Sequence, residues 1–127
     1  RFSIPEVDLG IPLAWGGIPR LVREIGPALT KELVITCRAF DAREAQSSGF
    51  LNRCLSADTL AGEVQALAEQ IAAKPALPVF ATKRHTNAVT ANMVGIERAW
   101  SDADGLIAGL LDPECADARA AYIQSRL

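Results

Sequence analysis

Apolar positions along the chain fall into short runs whose period changes several times, and each change marks an element. Phe2, Ile4, Val7 and Leu9 alternate loosely with polar residues up to Gly10, which predicts a short extended segment entering a turn. Gly16-Gly17 followed by Ile18-Pro19 has the form of a helix entrance, because proline at the first helical position gives up no useful donor. That helix is expected to run to Ile25, with Leu21, Val22 and Ile25 on one face and Gly26 closing it. Gly26-Pro27 then opens a second helix whose Leu29, Leu33 and Thr36, with Val34 beside them, form a buried stripe. The two helices should meet at an angle.

Asp41 with Glu44 three residues on has capping-box spacing, and Gly49 ends the short helix it starts. Phe50 to Leu55 follows as a strand. Ser56 or Asp58 caps the next helix, in which Leu60, Val64, Leu67 and Ile71 share one face. Pro75 and Pro78 interrupt it. A long segment from about Val79 to Leu111 then carries Phe80, Val89, Met93, Ile96, Trp100, Leu106, Ile107 and Leu110 on an apolar face, with Gly95 and Gly105 as weak points. Pro113 stands at the first position of a last helix, Glu114 to Arg126, with Tyr122 and Ile123 facing inward. The class is α+β and helix-rich. Two short strands make no self-sufficient sheet, so they are expected to pair with something outside this chain.

Composition narrows the function classes. With 127 residues, half of them hydrophobic, and a mean hydropathy of +0.15, the chain has material for one ordinary core. Thirteen basic groups against fifteen acidic ones create no field for nucleic acid or an anionic membrane surface. No apolar run reaches the roughly 20 residues of a membrane span, and no leader pattern is visible, so a soluble cytoplasmic protein is expected. Cys37, Cys54 and Cys115 contain no CxxC pair and read as small apolar fillers. His85 is the single histidine, between Arg84 and Thr86 and next to Lys83, and reads as solvated or capping; no two-histidine metal site can be built. GxSxG and GxxxxGK[ST] are both absent. The abrupt opening at Arg1-Phe2-Ser3-Ile4-Pro5 leads us to expect a piece of a longer protein.

The ordered motifs carry a family resemblance. Pro5-Glu6, Gly10, Gly16-Gly17, Arg20-Leu21 and Ile25-Gly26 stand at the spacing of a pattern like F-x-x-P-E-x-x-x-G-x-x-P-x-x-G-G-x-x-R-L, and the segment resembles the enoyl-CoA hydratase/isomerase (crotonase) family. Lys31 to Thr36 resembles the family's E-L-x-L-T helix. Asp41 to Ala45 followed by Gly49-Phe50-Leu51-Asn52 resembles its A-x-E-A-x-x-x-G-L-V-x segment, and Lys83, Ala121-Tyr122 and Arg126 resemble its tail. The likeness runs from Phe2 to about Arg126.

The resemblance implies the C-terminal part of a ββα-spiral fold with trimerisation helices. Residues 1–56 would be the end of the spiral core with the glutamate segment, and residues 57–127 a helical oligomerisation region. It implies an acyl-CoA thioester as substrate, fatty acid metabolism, no separate cofactor, and a homo-oligomer, trimer or hexamer. It also implies that the oxyanion donors and most of the acyl-CoA cleft belong to the half before Pro5-Glu6. By the same resemblance Glu6 is the acid/base. The local sequence agrees, since a carboxylate after proline, among Ile4, Val7 and Leu9 and facing a glycine-rich turn, invites desolvation. Ala14, Trp15 and Gly16 would touch the acyl pocket and Tyr122 the CoA side. Ala14 stands where many hydratases have glycine and dienoyl isomerases aspartate, so no second carboxylate comes from there. Ser125 replaces a lysine often seen in the tail, which weakens a phosphate contact; Arg126 reads first as a plain surface arginine and second as a substitute for that lysine. Two functions stay open: an enoyl-CoA hydratase or isomerase represented by its C-terminal half, and a truncated, non-catalytic assembly subunit.

Overall fold

A computed structural model describes residues 1–95 and 102–127. Six helices follow one another: α1 (Gly17–Thr36), α2 (Ala42–Ser47), α3 (Ala57–Ala72), α4 (Ala76–Met93), α5 (Asp102–Leu111) and α6 (Pro113–Gln124). The expected break within α1 is present. Gly26 lies at φ 77° and ψ 165°, outside helical space, and Pro27 restarts the helix beyond it. The buried stripe of the second half is Thr30, Leu33 and Val34, an i, i+3, i+4 set. Thr36, expected in that stripe, is exposed, because one more turn carries it past the core; the buried Thr30 hydroxyl instead donates to Gly26 O at 2.7 Å.

Leu33, Phe40 and Ala45 form the core, with Phe2, Ile4, Ile25, Leu29 and Leu51 packed on it. Phe2, Phe40 and Phe50 meet as a ring trio with centroids 5.3, 5.7 and 6.1 Å apart. Phe2 and Phe40 also exchange both backbone hydrogen bonds, at 2.9 and 3.0 Å, as an isolated antiparallel bridge. No ladder extends it among the described residues. The extended reading of Phe2 to Leu9 therefore holds only for its start: Leu9 N–H donates to Pro5 O and Gly10 N–H to Val7 O, folding the rest into turns. The strand expected over Phe50–Leu55 is absent as well. Leu51 N–H turns back to Ala45 O, and no strand among the described residues pairs with the remainder.

Local capping follows the sequence closely. Asp41 accepts from the N–H groups of Arg43 and Glu44 at the start of α2, and Asp112 accepts from Cys115 N–H at the start of α6, where Pro113 occupies the first turn. Glu44 does not close a capping box. Arg38 forks onto both of its oxygens and reaches Glu32 at 2.7 Å, clamping α2 to the end of α1.

α3 and α4 bury no residue. Leu60, Val64, Leu67 and Ile71 share a face as expected, yet each is 41–57% exposed, and the first three line an open groove of about 670 Å³. The apolar face foreseen from Val79 to Leu111 is not continuous. Phe80, Val89 and Met93 on α4 are exposed, α5 is a separate helix, and Ile96 and Trp100 lie outside the described residues. Tyr122 is half-buried, whereas Ile123, expected to face inward, is 52% exposed. No helix among the described residues is long and apolar enough to cross a membrane.

Candidate active site

The segment from Pro5 to Gly17 is irregular, and its shape is dictated by close approaches that only small residues permit. Gly10, at φ 67°, passes so near α6 that an added Cβ would lie 2.2 Å from Cys115 O. Gly109 on α5 presses on Gly10 from the other side, its own added Cβ falling 2.8 Å from Gly10 O. The corner between α5 and α6 thus grips the middle of the segment.

Glu6 begins the turn that leads into this grip. Its carbonyl accepts Ile11 N–H at 3.0 Å, which fixes the backbone of the residue. The side chain lines an open, largely apolar cavity of about 330 Å³ walled by Ile4, Leu13, Gly17, Leu21 and Phe50. Glu6 Oε2 is buried and has no hydrogen-bond partner among the described residues. A buried carboxylate oxygen without a partner costs free energy, and such groups collect where a substrate or water completes the set. Arg20 also lines the cavity, from the exposed side of α1. Sequence reasoning did not single it out, because Arg20 served only as a family marker.

The Ala14–Gly17 turn closes through Gly17 N–H to Ala14 O at 3.0 Å, with Trp15 (φ 58°) and Gly16 (φ 70°) both left-handed. Ala14 is 3% exposed, Gly16 is buried and Trp15 is 69% exposed. It is Leu13 and Gly17 on either side of them, not Ala14, Trp15 or Gly16, that line the cavity of Glu6. Gly17 packs so tightly on Leu13 that an added Cβ would come within 2.7 Å of Leu13 Cγ.

Tyr122 sits elsewhere. With Arg126, whose guanidinium carbon stands 5.1 Å from the Tyr122 ring centre, it lines a polar cavity of about 460 Å³ shared with Arg1, Asp8 and Cys37. Phe2, Ser3 and Pro5 line both cavities, so one short segment separates the Glu6 side from the Tyr122 side. Among the described residues no three His, Cys, Asp or Glu side chains come together in a metal-binding group.

Comparison with known proteins places the chain in a family. A family model described as Enoyl-CoA hydratase/isomerase matches residues 1–106. The short-chain-enoyl-CoA hydratase of Clostridioides difficile is 42% identical over 83 residues, covering 65% of this chain and 54% of that protein. The crotonyl-CoA hydratase of Syntrophomonas wolfei is 33% identical over 129 aligned positions, 99% of this chain and 48% of the relative. A crystal structure assigned as an enoyl-CoA hydratase from Streptomyces avermitilis superposes with a TM-score of 0.82 at 25% identity, over 97% of this chain and 44% of that one. The chain spans about half the length of the curated relatives it matches.

Proposed function

The chain belongs to the enoyl-CoA hydratase/isomerase family, and on that premise we propose that it carries the acid/base part of a site that hydrates or isomerises enoyl-CoA thioesters of fatty acid metabolism. One observation supports this above the others: Glu6 Oε2 is buried beside an apolar cavity with no protein partner among the described residues. In hydration the water oxygen bonds to the β-carbon of the enoyl group while Glu6 takes the water's proton. The electron pair of the double bond moves toward the thioester oxygen, and the proton is then delivered to the α-carbon. Isomerisation uses the same carboxylate to take a proton from one carbon and return it to another. Such a placed carboxylate contributes about 10²–10⁴-fold.

The larger contribution, from donors to the thioester oxygen at about 2.7–4 kcal/mol each, comes in this proposal from outside these 127 residues. The CoA portion lies toward Tyr122 and Arg126, the acyl chain toward Leu13, Trp15 and Gly17. The working form is a cytoplasmic homo-oligomer, trimer or hexamer.

The test is a chimera in which this chain replaces the matched half of the Syntrophomonas wolfei relative, assayed for crotonyl-CoA hydration. We expect the 127 residues alone to be inactive and the chimera active, with Glu6→Gln lowering kcat by 10² or more. Turnover that survives Glu6→Gln removes Glu6 from the chemistry. A folded but inactive chimera supports the second reading, a non-catalytic assembly subunit, which the exposed apolar face of α3 favours.

A further inference from the structure

We propose that Asp102, at the start of α5, is a positioning residue that fixes the Ala14–Gly17 turn at the border of the Glu6 cavity. Its Oδ2 accepts the Gly16 N–H at 2.7 Å, in a part-buried bond between residues 86 positions apart. Three features of the structure converge on this contact.

The turn it holds is strained. Trp15 at φ 58° is a bulky side chain in left-handed space, which L residues rarely adopt, and it is followed directly by left-handed Gly16. A backbone in that shape persists only where its surroundings hold it. Asp102 bonds the very next N–H.

The charge is also well placed. Gly16 is the N-cap of α1, has no side-chain cap bond, and the first turn of α1 contains no acidic residue. Asp102 brings a carboxylate from another helix to the positive end of α1.

Finally, α5 grips the whole segment that carries Glu6. Asp102 holds Gly16, Gly105 faces Pro12 so that an added Cβ would lie 3.4 Å from Pro12 Cγ, and Gly109 presses on Gly10 and Ile11. Leu13, just before the turn, and Gly17, at its end, line the same cavity as Glu6. Asp102 therefore holds that border of the cavity in place without touching substrate. This role rests on the reading of Glu6 as the acid/base.

Residue-resolved amide exchange by NMR on the 127-residue chain tests the anchor, with Asp102→Ala and Asp102→Asn. In Asp102→Ala, Gly16 N–H should exchange at least ten-fold faster while Leu33 and Ala45 keep their rates. Asp102→Asn retains an oxygen acceptor and should restore Gly16 protection to within about three-fold. An unprotected Gly16 in the unsubstituted chain, an unchanged rate in Asp102→Ala, or equal acceleration at Leu33 and Ala45 overturns the anchor. In the chimera, Asp102→Ala should lower kcat at least ten-fold with KM within two-fold, and Asp102→Asn should recover most of it. Equal loss in both variants, or a change confined to KM, overturns positioning. If Glu6→Gln leaves chimera turnover intact, the acid/base reading fails by itself, while exchange still decides whether Asp102 holds the turn.

Discussion

Gly10 shows how little room the candidate site leaves to a single residue. It combines a left-handed φ with a backbone approach that a methyl group cannot enter, since Cys115 O and its carbonyl carbon stand 2.2 and 2.8 Å from the added Cβ. The obstacle is main chain, so no side-chain rotation relieves it. We expect Gly10→Ala to destabilise the chain by about 3 kcal/mol, from left-handed strain plus overpacking, read as a lower urea midpoint. Gly26→Ala is the informative contrast: its φ is also positive, but nothing lies within 4 Å of the added Cβ, so only the conformational part is lost. At the same scale, Glu6 was legible because it follows proline inside a motif of fixed spacing. Asp102 was not, because its partner is 86 positions away and no local pattern marks the pair.

Among the elements, the helix boundaries were the most legible part of the fold. Gly26-Pro27, Asp41 and Pro113 act on the residues beside them, so their effect is written in the adjoining sequence, and Ser56 marks the start of α3 although its hydroxyl meets Thr59 rather than a cap N–H. The two strands were misread for the opposite reason. Alternation shows that a segment fits a pleated surface, but a strand needs a neighbour, and only Phe2 finds one, at Phe40. Helix α2 supplies a pH prediction. The N–H groups at the start of α2 hold the Asp41 carboxyl below its ordinary 3.8, and Arg38 holds Glu44 below its ordinary 4.5. A depressed carboxyl stabilises the fold above its unfolded-state value, and that contribution is lost as pH falls through the folded one. The urea midpoint should therefore drop as pH is lowered past about 4.5, and Arg38→Met should flatten the part due to Glu44. A midpoint that rises on acidification contradicts this.

As a whole, the molecule exposes far more surface than its mass requires. A monomer of 13.5 kDa presents about 6,500 Å² when compact, whereas this chain presents 9347 Å². The excess sits with α3 and α4, whose apolar side chains no other part of the described chain covers. The core that does exist is built from near neighbours, Leu33, Phe40 and Ala45, and so forms without closing a long loop. The Asp102–Gly16 bond is different in kind: α2, α3 and α4 all lie between its ends. Closing so wide a loop is entropically costly and is rewarded only once both ends are in place. We therefore expect the Ala14–Gly17 turn to be completed late in the time course of folding, after the core has set. Stopped-flow measurements on Asp102→Ala should show faster unfolding and an unchanged refolding limb; a slower refolding limb would place the closure before the barrier. On that expectation the order of assembly would match the proposed division of labour, with the scaffold formed first and the geometry around the Glu6 carboxylate the last to arrive and the first to leave.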